Sequence, residues 1–420
     1  MTKELNDVAS YSALRYRIKA FGPGILMASA AIGGSHLIAS TQAGAIYGWQ
    51  LALIIVLANF LKYPFFRFGT QYTLETGETL LDGYMKKGKV YIWAFLITNV
   101  IMSVVNIAAI SLLCAVIMGF LLPFNADIPV LTVCVMIIST LILVFGKYRV
   151  LDSISKVIML TLTIATVIAV VIALSRGAVA SADYIGPSPW NMGALGFIVA
   201  LMGWMPAPMD ITVFNSMWVA AKRRLMPVSY REGMLDFNVG YITTALLALI
   251  FLALGALVQY GAGETVQIAG AQYVGQLINM YVVTIGEWAR ILIAFIAFMC
   301  IFGTTLAVID GYSRGTLESI RIMLRKKQSR PTYVNSVIIL NVIAALILVF
   351  FFKNALGPML KFAMIMSFVF APVYASLNFT LVRTGEHRVT GWLYWLSVIG
   401  LLYLVGFSLF FIIQQIGLLD

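Results

Sequence analysis

Two short stretches carry residue types that could do chemistry inside an otherwise apolar chain. The first is Ala30-Ala31-Ile32-Gly33-Gly34-Ser35-His36-Leu37, where paired glycines precede a hydroxyl and an imidazole. The second is Trp204-Met205-Pro206-Ala207-Pro208-Met209-Asp210, where two prolines flank an alanine and a carboxylate follows. Glycine gives up the most backbone entropy on entering a helix, and each proline removes a donor and crowds the preceding turn. Both stretches therefore predict helices that come apart and free backbone groups to hold a solute. Histidine changes charge near neutral pH, so His36 is a candidate for substrate binding or proton coupling. Asp210 reads equally as a substrate ligand or as the cap of the helix that restarts behind the prolines.

The elements that must position these stretches lie in a bilayer. At 61% hydrophobic and 11% charged residues, with mean hydropathy +0.95, a soluble fold would expose more apolar surface than water tolerates. Apolar runs of roughly 20 residues span ~30 Å of hydrocarbon. Eleven are found, at 23–46, 49–68, 91–122, 128–146, 150–175, 193–221, 237–260, 288–312, 332–352, 355–383 and 390–417. The shorter run 268–285 reads as an interfacial or re-entrant piece. The fold class is an all-α membrane protein, one transmembrane domain over 1–420, with a cytoplasmic segment 1–22 and no cleavable signal peptide expected.

Basic residues set the orientation. With the N-terminus inside, only Arg176, Arg290, Lys353 and Lys361 of the 28 Lys and Arg fall on the far side. That predicts a cytoplasmic (inner) membrane protein with its N-terminus in the cytoplasm and its C-terminus outside. The net charge of +11 belongs to these loops, and no basic run is interleaved with aromatics as nucleic-acid binding requires. Lys62 and Arg67 are expected to snorkel from the inner end of the second span. Cys114, Cys134 and Cys300 lack metal-type spacing and read as packing residues.

The first and sixth spans are five apart, so they cross the bilayer in opposite directions. Matching interruptions in two inverted halves point to the central site of a secondary transporter. Spans 1–5 (23–175) and 6–10 (193–383) are read as an inverted repeat, with the eleventh (390–417) appended. The sequence holds no phosphate-binding loop of the Gly-x-x-x-x-Gly-Lys-Ser/Thr kind, no catalytic Ser/His/Asp set and no symmetric filter of a channel. An enzyme is not expected, nor a cofactor; the partners are a small molecule or ion and the lipid bilayer, and the chain is expected to act as a monomer.

The stretch FGPGILMASAAIGGSHLIASTQAGAIYGWQL resembles the first helix of the Nramp metal-transporter family, matching its opening Gly22-Pro23-Gly24 and closing Gln42-Ala43-Gly44-Ala45. Thr76-Gly77 and the run from Gly286 through Ser319 extend the likeness, which covers spans 1–3, 6 and 8 and reaches the rest by topology. The resemblance implies a leucine-transporter-type fold, alternating access and proton-coupled divalent-metal uptake. It also implies that a hydroxyl pair on the eighth span, here Thr304 and Thr305, forms a sodium site with backbone carbonyls.

The chain departs from the family where the family binds metal. The Asp-Pro-Gly-Asn of the family's first break is here Gly33, Gly34, Ser35 and His36, and the Met-Pro-His of its sixth-helix break is Ala207-Pro208-Met209. In place of the family's third-helix carboxylates stand Asn99 and Asn106. A divalent ion wants several oxygen ligands, usually with carboxylate among them, so no metal site is expected. The expected substrate is a small polar or carboxylate-bearing solute on Gly33, Gly34, Ser35, His36, Trp204, Ala207, Met209 and Asp210, with coupling through His36 or sodium at Thr304 and Thr305. The alternative is a divalent metal held by His36 and Asp210.

Overall fold

The computed structural model describes residues 22–145, 148–181, 183–267, 271–326, 331–352, 355–383 and 388–417. The expected cytoplasmic segment lies, but for Gly22, outside the described residues, as do Lys147 and Lys353. Every regular element among the described residues is helical.

Helices α1 (Pro23–Ala31) and α2 (Thr41–Tyr47) are the two halves of the first span, joined by a π-helical stretch, Ser35–Ser40, and bent by 49°. The second and third spans are α3 (Ala52–Thr76) and α5 (Lys89–Leu121), separated by the short α4 (Leu80–Lys87). Gly77 ends α3 at φ 78, and a reciprocal Thr79–Asp82 capping box starts α4. The fourth and fifth spans are α6 (Ile128–Val144) and α7 (Tyr148–Arg176). The sixth is broken into α8 (Met192–Gly203) and α9 (Ile211–Leu225), and the seventh is α10 (Tyr230–Val258). The run expected to be interfacial contains α11 (Ala271–Ile285), whose Tyr281 hydroxyl is 2.8 Å from that of Thr166 on α7. Then come α12 (Ala289–Met323), α13 (Pro331–Phe351), α14 (Leu356–Val382) and α15 (Trp392–Gln415), the eighth to eleventh spans.

Seven of these helices are each long and apolar enough to cross a membrane, and the bent first span makes an eighth. The shorter α6, α7 and broken α8–α9 complete the eleven spans expected. Their outward faces carry large apolar side chains, among them Leu53, Phe60, Ile164, Ile242, Ile347 and Leu402, which suits contact with lipid tails.

Backbones meet most closely where glycine removes the side chain. A Cβ on Gly24 would lie 2.2 Å from the Asp236 carbonyl, and one on Gly240 would lie 2.3 Å from the Gly24 carbonyl. At the other end of the span, Gly44 and Gly255 meet the Leu252 and Thr41 carbonyls at 1.9 and 2.2 Å in the same sense. Both halves of the first span are thereby pressed onto α10. The sixth span is seated likewise: a Cβ on Gly203 would lie 1.9 Å from the Met364 carbonyl of α14, and one on Gly69 of α3 would lie 2.8 Å from the Thr212 carbonyl of α9.

Candidate substrate site

The first span comes apart where its glycines stand. After Ala31, the amides of Ile32 and Gly33 still donate to Ala28 and Ala31 (2.8 and 2.9 Å), and the chain resumes in the wider π turn from Ser35. A Cβ on Gly34 would lie 2.5 Å from Cζ3 of Trp204, and one on Gly33 would lie 3.0 Å from the Thr304 hydroxyl. These positions are small because the sixth and eighth spans close directly on the break. In the sixth span, residues 204–210 are non-helical, as the two prolines predict.

A cavity of about 50 Å³ lies between the two breaks. Of the expected residues, Gly34, Ser35, Trp204, Asp210 and Thr304 line it, joined by Asn106 on α5, Phe214 and Trp218 on α9, and Tyr312 on α12. The Tyr312 hydroxyl donates to Oδ2 of Asp210 and accepts from the Asn106 amide at 2.5 Å. The Trp204 indole donates to Ser367 of α14 at 3.0 Å. Asp210 precedes α9 without a side-chain cap. The first amides of α9 donate instead to the carbonyls of Pro208, Met209 and Asp210 at 3.3, 3.2 and 2.9 Å.

The other expected residues lie off the cavity wall. Ala207 and Met209 are each 1% exposed and packed into the core. Thr304 and Thr305 donate to carbonyls of their own helix, Cys300 at 3.1 Å and Ile301 at 2.9 Å, and only Thr304 reaches the cavity. His36 is fully buried and turned toward α10, with Nε2 2.9 Å from the Thr244 carbonyl and its ring edge-on to Phe251.

His36 touches the cavity through Ser35. The Ser35 hydroxyl lies 2.7 Å from both the Ala31 carbonyl and Nδ1 of His36. A carbonyl only accepts, so Nε2–H donates to Thr244. A hydroxyl has one proton to give. With the ring doubly protonated, Nδ1–H donates to Ser35, Ser35 donates to Ala31, and all three contacts are satisfied. With the ring neutral, one proton must serve two acceptors, so the charge on His36 and the set of the first break are linked.

Lys62 corrects the snorkelling expectation. It is fully buried on α3, and its ammonium donates to the carbonyls of Met202 (2.5 Å) and Gly203 (3.3 Å) at the end of α8, 6.0 Å from the Phe368 ring. Lys62 thus ties the second span to the sixth, as His36 ties the first to the seventh. A signal was present in the sequence: Lys62 stands ten residues into α3, about 15 Å along its axis, too deep to reach water.

A second cavity of about 400 Å³ shares Phe214 and Trp218 with the first. Its wall includes Thr79, Arg224, Asp310, Arg314 and Glu318, with the Arg314 guanidinium 2.7 Å from Asp310. It forms a vestibule at the end of the bundle where α9 and α12 finish.

Two oppositely directed spans, both interrupted and enclosing one cavity, define a helical membrane transporter of the alternating-access class. The chain belongs to the Nramp family: the model for natural resistance-associated macrophage protein-like sequences matches residues 24–414. An uncharacterized protein of Pasteurella multocida (strain Pm70) is 63% identical over 420 residues, covering 99% of this chain and 97% of that protein. Among solved structures, the fold is similar to that of the Eremococcus coleocola manganese transporter, with TM-score 0.74 at 12% identity over 96% of this chain and 88% of that one. It is also similar to Mhp1, a nucleobase-cation-symport-1 family transporter in a closed conformation, with TM-score 0.58 at 16% identity over 94% and 93%.

Proposed function

We propose that this chain is a secondary transporter of the inner membrane, N-terminus cytoplasmic, that carries a small polar non-metal solute between its broken first and sixth spans with proton coupling through His36. The observation that supports it is the donor set facing the cavity: one carboxylate, Asp210, with hydroxyls of Ser35 and Thr304 and the amide of Asn106. Asp210 already accepts from Tyr312, and the Met209 sulfur lies away from the wall. A divalent ion surrendering its water would find neither several charged oxygens nor a soft ligand. The volume suits a small solute, since a water needs ~10–15 Å³ on this measure and the space takes on the order of four.

Ser35 supports the coupling assignment, because one side of its hydroxyl faces the cavity and the other faces the imidazole. Uptake by reconstituted vesicles is expected to vary from about pH 5 to 8 in the wild type and to lose that dependence in His36→Ala. An unaltered pH profile in that variant refutes the coupling. The second reading, divalent-metal transport, is favoured by family membership and by Asp210 at the break. Calorimetric titration with Mn²⁺ separates the two: saturable binding near micromolar supports the metal reading, and silence supports the solute.

A further inference from the structure

Resting on the transporter reading above, we propose that the central cavity takes a small ammonium-type cation, ammonium ion or a short primary amine. Apart from the second N–H of the Asn106 amide, the side-chain protons at the cavity are committed inside the protein. Ser35 donates to Ala31 or His36, Thr304 to Cys300, Tyr312 to Asp210, and the Trp204 indole to Ser367. What these groups turn outward is mainly acceptors: lone pairs of Ser35 and Thr304 and the carboxylate of Asp210. A ligand that satisfies them must bring donors, as an ammonium group does and a carboxylate does not.

The fixed charges agree. Among the described residues the wall holds a carboxylate and no Lys, Arg or His. The C-terminal end of α1, at Ala30 and Ala31, also faces the cavity and carries partial negative charge. The opposing N-terminus of α9 has its first amides bound to its own carbonyls and Asp210 ahead of them. This removes the anion site that a bare half-helix N-terminus would offer at the sixth-span break. The nearby cation, Lys62, has its ammonium on the Met202 and Gly203 carbonyls, outside the cavity wall.

Aromatic rings complete the site. Trp204, Phe214, Trp218 and Tyr312 supply much of the wall, and aromatic faces attract organic cations and ammonium more readily than they replace the oxygen shell of a metal ion. At about 50 Å³, on the measure in which a water takes ~10–15 Å³, the cavity admits ammonium or methylammonium.

The test titrates the full-length protein with methylammonium chloride, sodium chloride, sodium acetate and manganese(II) chloride. Thermal melting in detergent reports binding, and uptake of labelled methylammonium into proteoliposomes, against protein-free vesicles, reports transport. Saturable stabilisation by methylammonium is expected, at least about tenfold weaker in Asp210→Asn and partly restored in Asp210→Glu. Trp218→Leu, at the mouth of the cavity, is expected to weaken it about two- to thirtyfold and keeps the test open if Asp210→Asn does not fold. Equal responses to sodium and methylammonium, or methylammonium binding unchanged in both variants, overturn the inference. Preference for acetate that disappears in Gly34→Ala overturns it while leaving the transporter reading in place, and preference for manganese overturns both.

Discussion

Replacing Lys62 with methionine isolates what a buried cation does at the sixth-span break. Methionine keeps the length and apolar stem but cannot donate, so the Met202 and Gly203 carbonyls lose the partner they hold at 2.5 and 3.3 Å. A buried acceptor left unmade costs about 1–3 kcal/mol, and this falls on Gly203, because the Met202 carbonyl still accepts from the Met205 amide at 3.4 Å. Against this stands the recovered cost of keeping an ammonium out of water, several kcal/mol for a single ion. Lys62 and Asp210 are, however, buried opposite charges flanking the sixth-span break, and leaving one buried charge without its counterpart is itself destabilising by about 3–5 kcal/mol. The balance is a net loss of about 2–4 kcal/mol, visible as a melting temperature several degrees lower in detergent. Adding Asp210→Asn to Lys62→Met should recover part of that loss, since neither charge is then left alone, and the double-mutant cycle should show a coupling above about 0.5 kcal/mol. Lys62→Met melting with the wild type, or strict additivity of the two substitutions, would refute the reasoning.

Two further substitutions follow from the cavity itself. Gly34→Ala places a methyl 2.5 Å from the Trp204 ring, which must swing into the cavity; titration by melting should show ligand stabilisation lost while the protein still folds. Tyr312→Phe removes the hydroxyl that joins Asn106 to Asp210, and each group left without it costs about 1–3 kcal/mol. A lowered melting temperature and weaker ligand affinity should appear together in that variant, whereas either one unchanged would contradict the bridging role.

The interruptions were legible in the sequence because glycine and proline act on the backbone locally, whatever surrounds them. Gly33-Gly34 and Pro206–Pro208 mark where the helices end, and the span count follows from hydropathy alone. Side-chain direction was not legible. His36 follows Ser35 directly, but neighbours on a helix point about 100° apart, so one faces the cavity and the other faces α10. The same rotation separates Thr304, which reaches the cavity, from Thr305, which does not line it. Tyr312 and Asn106 sit on long apolar helices where nothing local distinguishes a cavity residue from a packed one, and only the approach of α5, α9 and α12 brings them to Asp210.

The reciprocal glycines fasten the broken spans to their neighbours. With carbonyls of α10 where side chains would stand on both α1 and α2, neither half of the first span can slide past the seventh, and Gly203 and Gly69 hold the sixth span to α14 and α3 in the same way. The first span is thus seated on the seventh, and the sixth on α14 and α3, through backbone rather than side chains. Between those seats the first and sixth spans meet at Gly34 and Trp204, a glycine against a ring, which has room to turn where a carbonyl has not.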